Sequence, residues 1–253
     1  MSRNLEKYAK SLQLEQFFRK LGASNPEILV KEVGHFTTKE AEKRDNILIN
    51  YFGESGINRI VNTITQLLLN SPRLRANAKV LDVGAGSGFF TVKIAKKIHD
   101  KLPKVSFYAM DITPAMLLSL TKKKTSITPF VGIAENIEGS IKETRKFFYI
   151  PYKFDAIFST LMLHHSTGPE NVFKSIKEVL KKKGKTIVID LCEHSFEEFK
   201  IEMDDVHLGF NPEEIYEMAR KHFSDVKVEK MAGIYCKCSG RSAEIFVAVM
   251  QNC

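Results

Sequence analysis

Residues 80–91, Val80-Leu81-Asp82-Val83-Gly84-Ala85-Gly86-Ser87-Gly88-Phe89-Phe90-Thr91, constrain what this chain can become more than any other stretch. An apolar, β-branched run reads as a short strand, the alternating glycines as a tight turn, and the following residues as the start of a helix. Glycine at Gly84, Gly86 and Gly88 lets the backbone turn sharply and approach a ligand that a Cβ would hold off. The first N–H groups of the helix have no intrahelical partner and point toward whatever sits above the turn. A glycine turn alone is shared by many nucleotide enzymes and some purely structural βα units, so its context has to decide.

That context is a run of alternating strands and helices. From Lys79 the pattern predicts strands over 79–83, 104–110, 128–132, 153–160 and 184–191, with helices over 88–101, from Thr113-Pro114, near 136–146, and over 168–182. A polar loop then leads to a helix over 211–222, opened by Asn211-Pro212-Glu213-Glu214. Strands 225–232 and 243–250 follow without an intervening helix. Helical crossovers imply a mainly parallel, doubly wound sheet of seven strands, and the last pair implies an antiparallel hairpin at one edge. Residues 1–78 read instead as helices, broken at Gly53-Glu54-Ser55-Gly56 and ended before Ser71-Pro72. We therefore expect an N-terminal helical module over 1–78, covering the active site, and an α/β domain over 79–253.

Two acids narrow the ligand. Asp82 ends the first strand, and Asp111 ends the second, 23 positions after Gly88. An acid at the end of strand two can accept hydrogen bonds from both hydroxyls of a ribose. A carboxylate beside the glycine turn is poorly placed for a phosphate and well placed for an ammonium group. The pair favours S-adenosylmethionine over a dinucleotide.

With those residues in view, the chain resembles the class I S-adenosylmethionine-dependent methyltransferases, and within them the small-molecule group that includes the quinone-biosynthesis C-methyltransferases. The resemblance covers about residues 78–250. Val80–Gly88 is similar to the family's first motif and Asp111 to its ribose-binding acid. Gly132-Ile133-Ala134-Glu135-Asn136 resembles the stretch beside the adenine. Phe154–His165 resembles the fourth strand with its Leu-His-His ending, and Val172–Asp190 the helix, turn and strand that follow. Ile133 stands where the family usually has an aspartate, which passes that role to Glu135 or Asn136. Lys182-Lys183-Gly184 replaces a Pro-Gly-Gly turn.

The resemblance implies a Rossmann-like methyltransferase, with S-adenosyl-L-methionine held by Asp82, Gly84, Ala85, Gly86, Gly88, Asp111, Ile112, Met116, Ala134, Glu135, Asn136, Ser159, Thr160 and Leu161. Methyl transfer needs alignment and exclusion of water, and a base only where the acceptor must lose a proton. Candidate bases are His164, His165, His194, His207, Glu193, Asp204 and Asp205. Of these, His165 and His207 are the expected catalytic residues, weighed against a purely structural role in their loops. Tyr8 and Tyr51 are candidates for the pocket wall, although aromatic residues at helical spacing usually belong to a core.

The acceptor is expected to be a small molecule. Net charge of +8 raises nucleic acid as a partner. However, Lys96-Lys97, Lys122-Lys123-Lys124 and Lys181-Lys182-Lys183 fall where helix C-termini are predicted, and cations there complement the helix dipole. Ser159-Thr160-Leu161-Met162 also occupies the slot of an Asn-Pro-Pro-Tyr or Asp-Pro-Pro-Tyr motif for amino groups of adenine, and the sequence has no Pro-Cys pair for attack on a pyrimidine. An RNA or protein methyltransferase using the basic surface, and a non-catalytic cofactor-binding module, are the alternatives. No apolar run reaches the roughly 20 residues of a membrane span, and no signal-peptide pattern opens the chain, so a cytoplasmic protein is expected. Cys192, Cys236, Cys238 and Cys253 read as reduced thiols. Cys236-Lys237-Cys238 lacks a zinc-site spacing, so no metal is expected. The sequence leaves the oligomeric state open.

Overall fold

A computed structural model describes residues 8, 12–23, 25–35, 38–70, 73–203 and 205–252. Among these, seven strands form one sheet in the order β3-β2-β1-β4-β5-β7-β6. They are β1 (Lys79–Val83), β2 (Ser106–Asp111), β3 (Thr128–Val131), β4 (Phe154–Thr160), β5 (Leu180–Leu191), β6 (Asp225–Cys238) and β7 (Arg241–Gln251). The first five run parallel, and β7 pairs antiparallel with both β5 and β6. The sheet is the mainly parallel architecture with an antiparallel C-terminal hairpin that the sequence implies. The hairpin turns at Ser239 and Gly240, both at positive φ.

Alternation along β1 distributes the strand between two cores. Val80 joins Phe158, Ile187 and Ile189 on one face. These pack under α3 (Thr38–Leu69) and α4 (Phe89–His99), through residues such as Ile60, Ile64 and Ile94. Leu81 and Val83 join Ile157 and Val188 on the other face, beneath α6 (Ile137–Thr144), α7 (Pro169–Val179) and α9 (Pro212–Arg220). A third cluster gathers Phe17, Phe18 and Leu21, around α1 (Leu14–Lys20), and Leu29 of α2 (Pro26–His35). They lie against Val131 and Leu117, the latter from α5 (Pro114–Lys122). The N-terminal helices are thus packed on the sheet domain.

Several element boundaries differ from expectation. α3 runs from Thr38 to Leu69, with the predicted break surviving as a kink at Gly53, where φ is 62°. Lys181, Lys182 and Lys183 belong to β5 and not to a helix end. α7 stops at Val179, and Leu180 is extended and paired with Phe154, because adding a strand edge outweighs one more helical turn. Lys181 Nζ then reaches Asp155 Oδ2 at 2.8 Å. The loop after β5 contains a short helix, α8 (Glu198–Met203), held by Phe199, which is fully buried. Asn211 caps α9 as its sequence implies, its Oδ1 accepting from Glu213 N at 3.0 Å. The predicted break at Ser71-Pro72, Asp204 and Cys253 lie outside the described residues.

Candidate active site

The glycine turn after β1 is built by backbone geometry. Gly84, Gly86 and Gly88 lie at φ 73°, 54° and 74°, a region that L side chains enter only at a cost. The N–H groups of Gly84 and Ala85 both donate to Met110 O at 2.9 Å, which ties the turn to β2. A Cβ on Gly84 would stand 2.1 Å from Met162 Cγ, and one on Gly88 would stand 2.3 Å from Leu120 Cδ1. On Gly86 it would meet nothing within 4 Å. Gly84 and Gly88 are therefore required for packing, whereas Gly86 leaves space open above the turn.

Asp111 borders that space. Its Oδ2 accepts from Gly86 N at 2.7 Å and its Oδ1 from Thr113 N at 2.8 Å. The carboxylate is fixed in orientation while each oxygen keeps a lone pair for a further donor. Burial pushes its pKa up, and the two backbone N–H groups and Arg44 pull it back. Asp82 is buried beneath the turn. Its Oδ2 accepts from Thr91 Oγ1 at 2.5 Å, and its Oδ1 has no hydrogen-bond partner among the described residues. Burial raises this carboxyl to about 7; the Thr91 bond opposes that rise and the charge of Asp111 adds to it.

One cavity runs from the turn across the carboxyl ends of β1, β2 and β4. Gly84, Gly86, Asp111, Ile112 and Met116 line its first part, and Ala134, Glu135, Leu161 and His165 its second. Other expected site residues lie elsewhere. Gly88 is the N-cap of α4, packed on Leu120. Ala85 is held in the turn by its bond to Met110. Ser159 is buried, with Oγ donating to Val83 O at 2.8 Å, and Thr160 is buried at the end of β4. Asn136 caps α6, accepting from Gly139 N, and donates to Leu21 O at 2.7 Å, so it joins the N-terminal helices to the sheet domain.

The histidines after β4 have different surroundings. His164 is fully buried, with Nδ1 2.5 Å from Asp190 Oδ1 and Nε2 3.4 Å from Asp205 Oδ1. His165 turns to the cavity, its ring centroid 4.2 Å from that of His164. His207 donates its backbone N–H to His164 O at 2.9 Å, and its Nε2 lies 3.0 Å from Ser166 O, so it clamps the loop that carries both. A carbonyl only accepts, so Nε2 carries the proton there. Ser166 Oγ in turn donates to Glu135 Oε1 at 2.7 Å. His194 stacks on Phe196, and Glu193 is exposed. Tyr8 is buried beside Thr144, and Tyr51 is buried in the α3 core. Burial raises the Cys192, Cys236 and Cys238 thiols, which keeps them protonated and disfavours thiolate ligation.

Leu29, Arg44, Gly132, Ile133, Met162 and Ser166 also line the cavity. Met162 and Ser166 flank the Leu-His-His segment and were within reach of sequence reasoning. Arg44 was not: its charge gives no local sign that α3 crosses the sheet edge. The neighbouring Asp45 fixes that crossing, accepting from Ser87 Oγ and from Lys123 Nζ, each at 2.6 Å.

Three features fit an adenosyl sulfonium: a fixed carboxylate with spare lone pairs at Asp111, a side-chain-free space above Gly86, and a buried Asp82 oxygen without a hydrogen-bond partner among the described residues.

A family model described as "Methyltransferase domain" matches residues 74–234. Ubiquinone/menaquinone biosynthesis C-methyltransferase UbiE of Rickettsia bellii is 26% identical over 173 residues, covering 68% of this chain and 64% of that protein. The same-named protein of Rickettsia prowazekii is 24% identical over the same shares. The chain therefore spans about 64% of the length of these relatives. Among solved structures, Haemonchus contortus phosphoethanolamine N-methyltransferase 2 in complex with S-adenosyl-L-methionine has a TM-score of 0.60 at 17% identity, covering 93% of this chain and 60% of that one. A SAM-dependent methyltransferase from Aquifex aeolicus has a TM-score of 0.55 at 16% identity, covering 86% and 100%. At these identities the structural likeness concerns the fold.

Proposed function

The chain belongs to the methyltransferase domain family, and we propose that it transfers a methyl group from S-adenosylmethionine to a small-molecule acceptor in the cavity at the carboxyl ends of β1, β2 and β4. The observation that carries this reading is the Asp111 carboxylate, held by Gly86 N–H and Thr113 N–H beside open space at Gly86. Asp111 holds the ribose hydroxyls. Gly84 and Gly86 accommodate the methionine portion, with Asp82 beneath as its acidic neighbour. Ile112, Met116, Ala134 and Glu135 border the adenine.

When bound, the cofactor supplies a methyl group on a positively charged sulfur. The protein's contribution is alignment of donor and acceptor and exclusion of water. Leu29 and Arg44, from the N-terminal helices, lie on the cavity wall. We assign residues 1–78 the role of a cover over the acceptor space. His165 faces the acceptor and takes its proton where one must leave, while His207 positions the loop that carries it. A small acceptor agrees with the largely apolar cavity and with the low-identity likeness to enzymes named for quinone biosynthesis.

Methyl-labelled S-adenosylmethionine incubated with the full chain and a fractionated cell extract tests the reading. Label is expected in the low-mass organic fraction. Label confined to RNA or protein would overturn the small-molecule assignment.

A further inference from the structure

His164 has a role that proton transfer to an acceptor does not explain. Its side chain is buried and cannot meet an acceptor, yet both ring nitrogens face carboxylates. Asp190 takes backbone N–H groups from Leu163 and Leu191, each at 2.7 Å, so it is an acceptor and His164 Nδ1 donates to it. In the neutral ring, Nε2 then carries a lone pair. That atom has no hydrogen-bond partner among the described residues and lies 3.4 Å from Asp205 Oδ1. With the ring neutral, two buried acceptor atoms face each other, an arrangement that a cation bound to both stabilises beyond the attraction Arg44 exerts on Asp205. His165 completes the group: one ligand atom from each of His164, His165 and Asp205 lies within 4.8 Å of the others.

We propose that His164, His165 and Asp205 bind a divalent transition-metal ion at the cavity wall. Bonds of about 2.1 Å in a tetrahedral site put ligand atoms about 3.4 Å apart, which matches the spacing of His164 Nε2 and Asp205 Oδ1. Two imidazoles and one carboxylate suit zinc, cobalt(II) or iron(II), and leave coordination positions free. A carboxylate behind a metal-binding imidazole fixes its tautomer and ring orientation, and Asp190 stands in that position. His165 also lines the cavity, so the free positions face the acceptor space, and with the ion bound it is the ion, not the ligated His165, that makes an acceptor proton easier to lose. The acceptor class that fits is a molecule with oxygen donors, such as a ring bearing adjacent hydroxyl or keto groups. This last step rests on the methyltransferase reading, whereas ion binding does not. Arg44 attracts Asp205 as well and offsets part of its charge, so the affinity expected is micromolar, not picomolar.

The test uses the full chain, treated with chelator, desalted and titrated with cobalt(II) alone. Visible absorption bands saturating at one equivalent are expected in the wild type. His165→Gln and Asp205→Asn should each weaken binding by at least about tenfold, while circular dichroism shows both variants folded. Absence of bands in the wild type, or equal binding by the variants, would overturn the ion site and leave a protonated His164 bridging two carboxylates. Cobalt binding without S-adenosylhomocysteine binding would keep the ion site and sink the methyltransferase reading instead.

Discussion

The two ends of the cavity are made by different means. At the glycine turn the shape comes from backbone: positive φ at three glycines, a shared acceptor at Met110 O, and one carboxylate fixed by two N–H groups. At the histidine end it comes from side chains far apart in sequence. There Arg44 from α3 and His165 from the turn after β4 line the cavity, and His164, Asp190 at the end of β5 and Asp205 in the loop before α9 are buried behind them. Backbone construction gives one fixed shape suited to a constant ligand. Side-chain construction can vary without disturbing the sheet, which suits the end that selects an acceptor.

Substitutions can break this contrast, and the largest effect belongs to the turn. Gly84→Ala combines a left-handed backbone with overlap against Met162 and should cost about 3 kcal/mol or more in stability, read by urea denaturation. Met162→Ala in the same chain should restore part of it. Asp190→Asn, at the other end, weakens the buried anchor of His164 and should cost about 2 kcal/mol, with little change in cofactor affinity. If that variant lost cofactor binding as strongly as a turn variant, the two ends would not be separable.

A smaller effect separates them by pH. Burial raises the folded-state pKa of Asp82 from its ordinary 3.8 to about 7. An acid shifted upward stabilises the fold fully below its unfolded pKa, and that contribution is lost as pH rises toward the folded value. Stability from this group should therefore fall by roughly 3 kcal/mol between about pH 4 and pH 7. Asp82→Asn should flatten that part of the profile. The charged form is also the one that attracts an ammonium group, so cofactor affinity in the wild type should rise over the same window. A profile unchanged by Asp82→Asn would contradict this account of the turn.

The contrast also explains what the sequence made legible. β1, its turn and Asp111 are local: strand, glycines and acid lie within one βα unit and its successor, so spacing and residue type suffice. Most of the expected cavity residues, Gly84, Gly86, Asp111, Ile112, Met116 and Glu135 among them, come from such βα junctions. Arg44 and the meeting of His164 with Asp190 and Asp205 depend on crossings that no local pattern encodes. The same holds for Lys181–Lys183, where pairing with β4 overrode a helical reading. Asn136 shows the converse: its type and place beside the adenine stretch suggested a ligand contact, while its side chain caps α6 and holds Leu21 O.

The central claim is that the Asp111 carboxylate holds an adenosyl ligand beside Gly86. Calorimetric titration of the wild type and of Asp111→Ala with S-adenosylhomocysteine tests it most directly. Saturable binding by the wild type, weakened at least about 100-fold in the variant while its melting temperature stays close, is the predicted result. No binding by the wild type, or equal affinity in both proteins, would contradict the account.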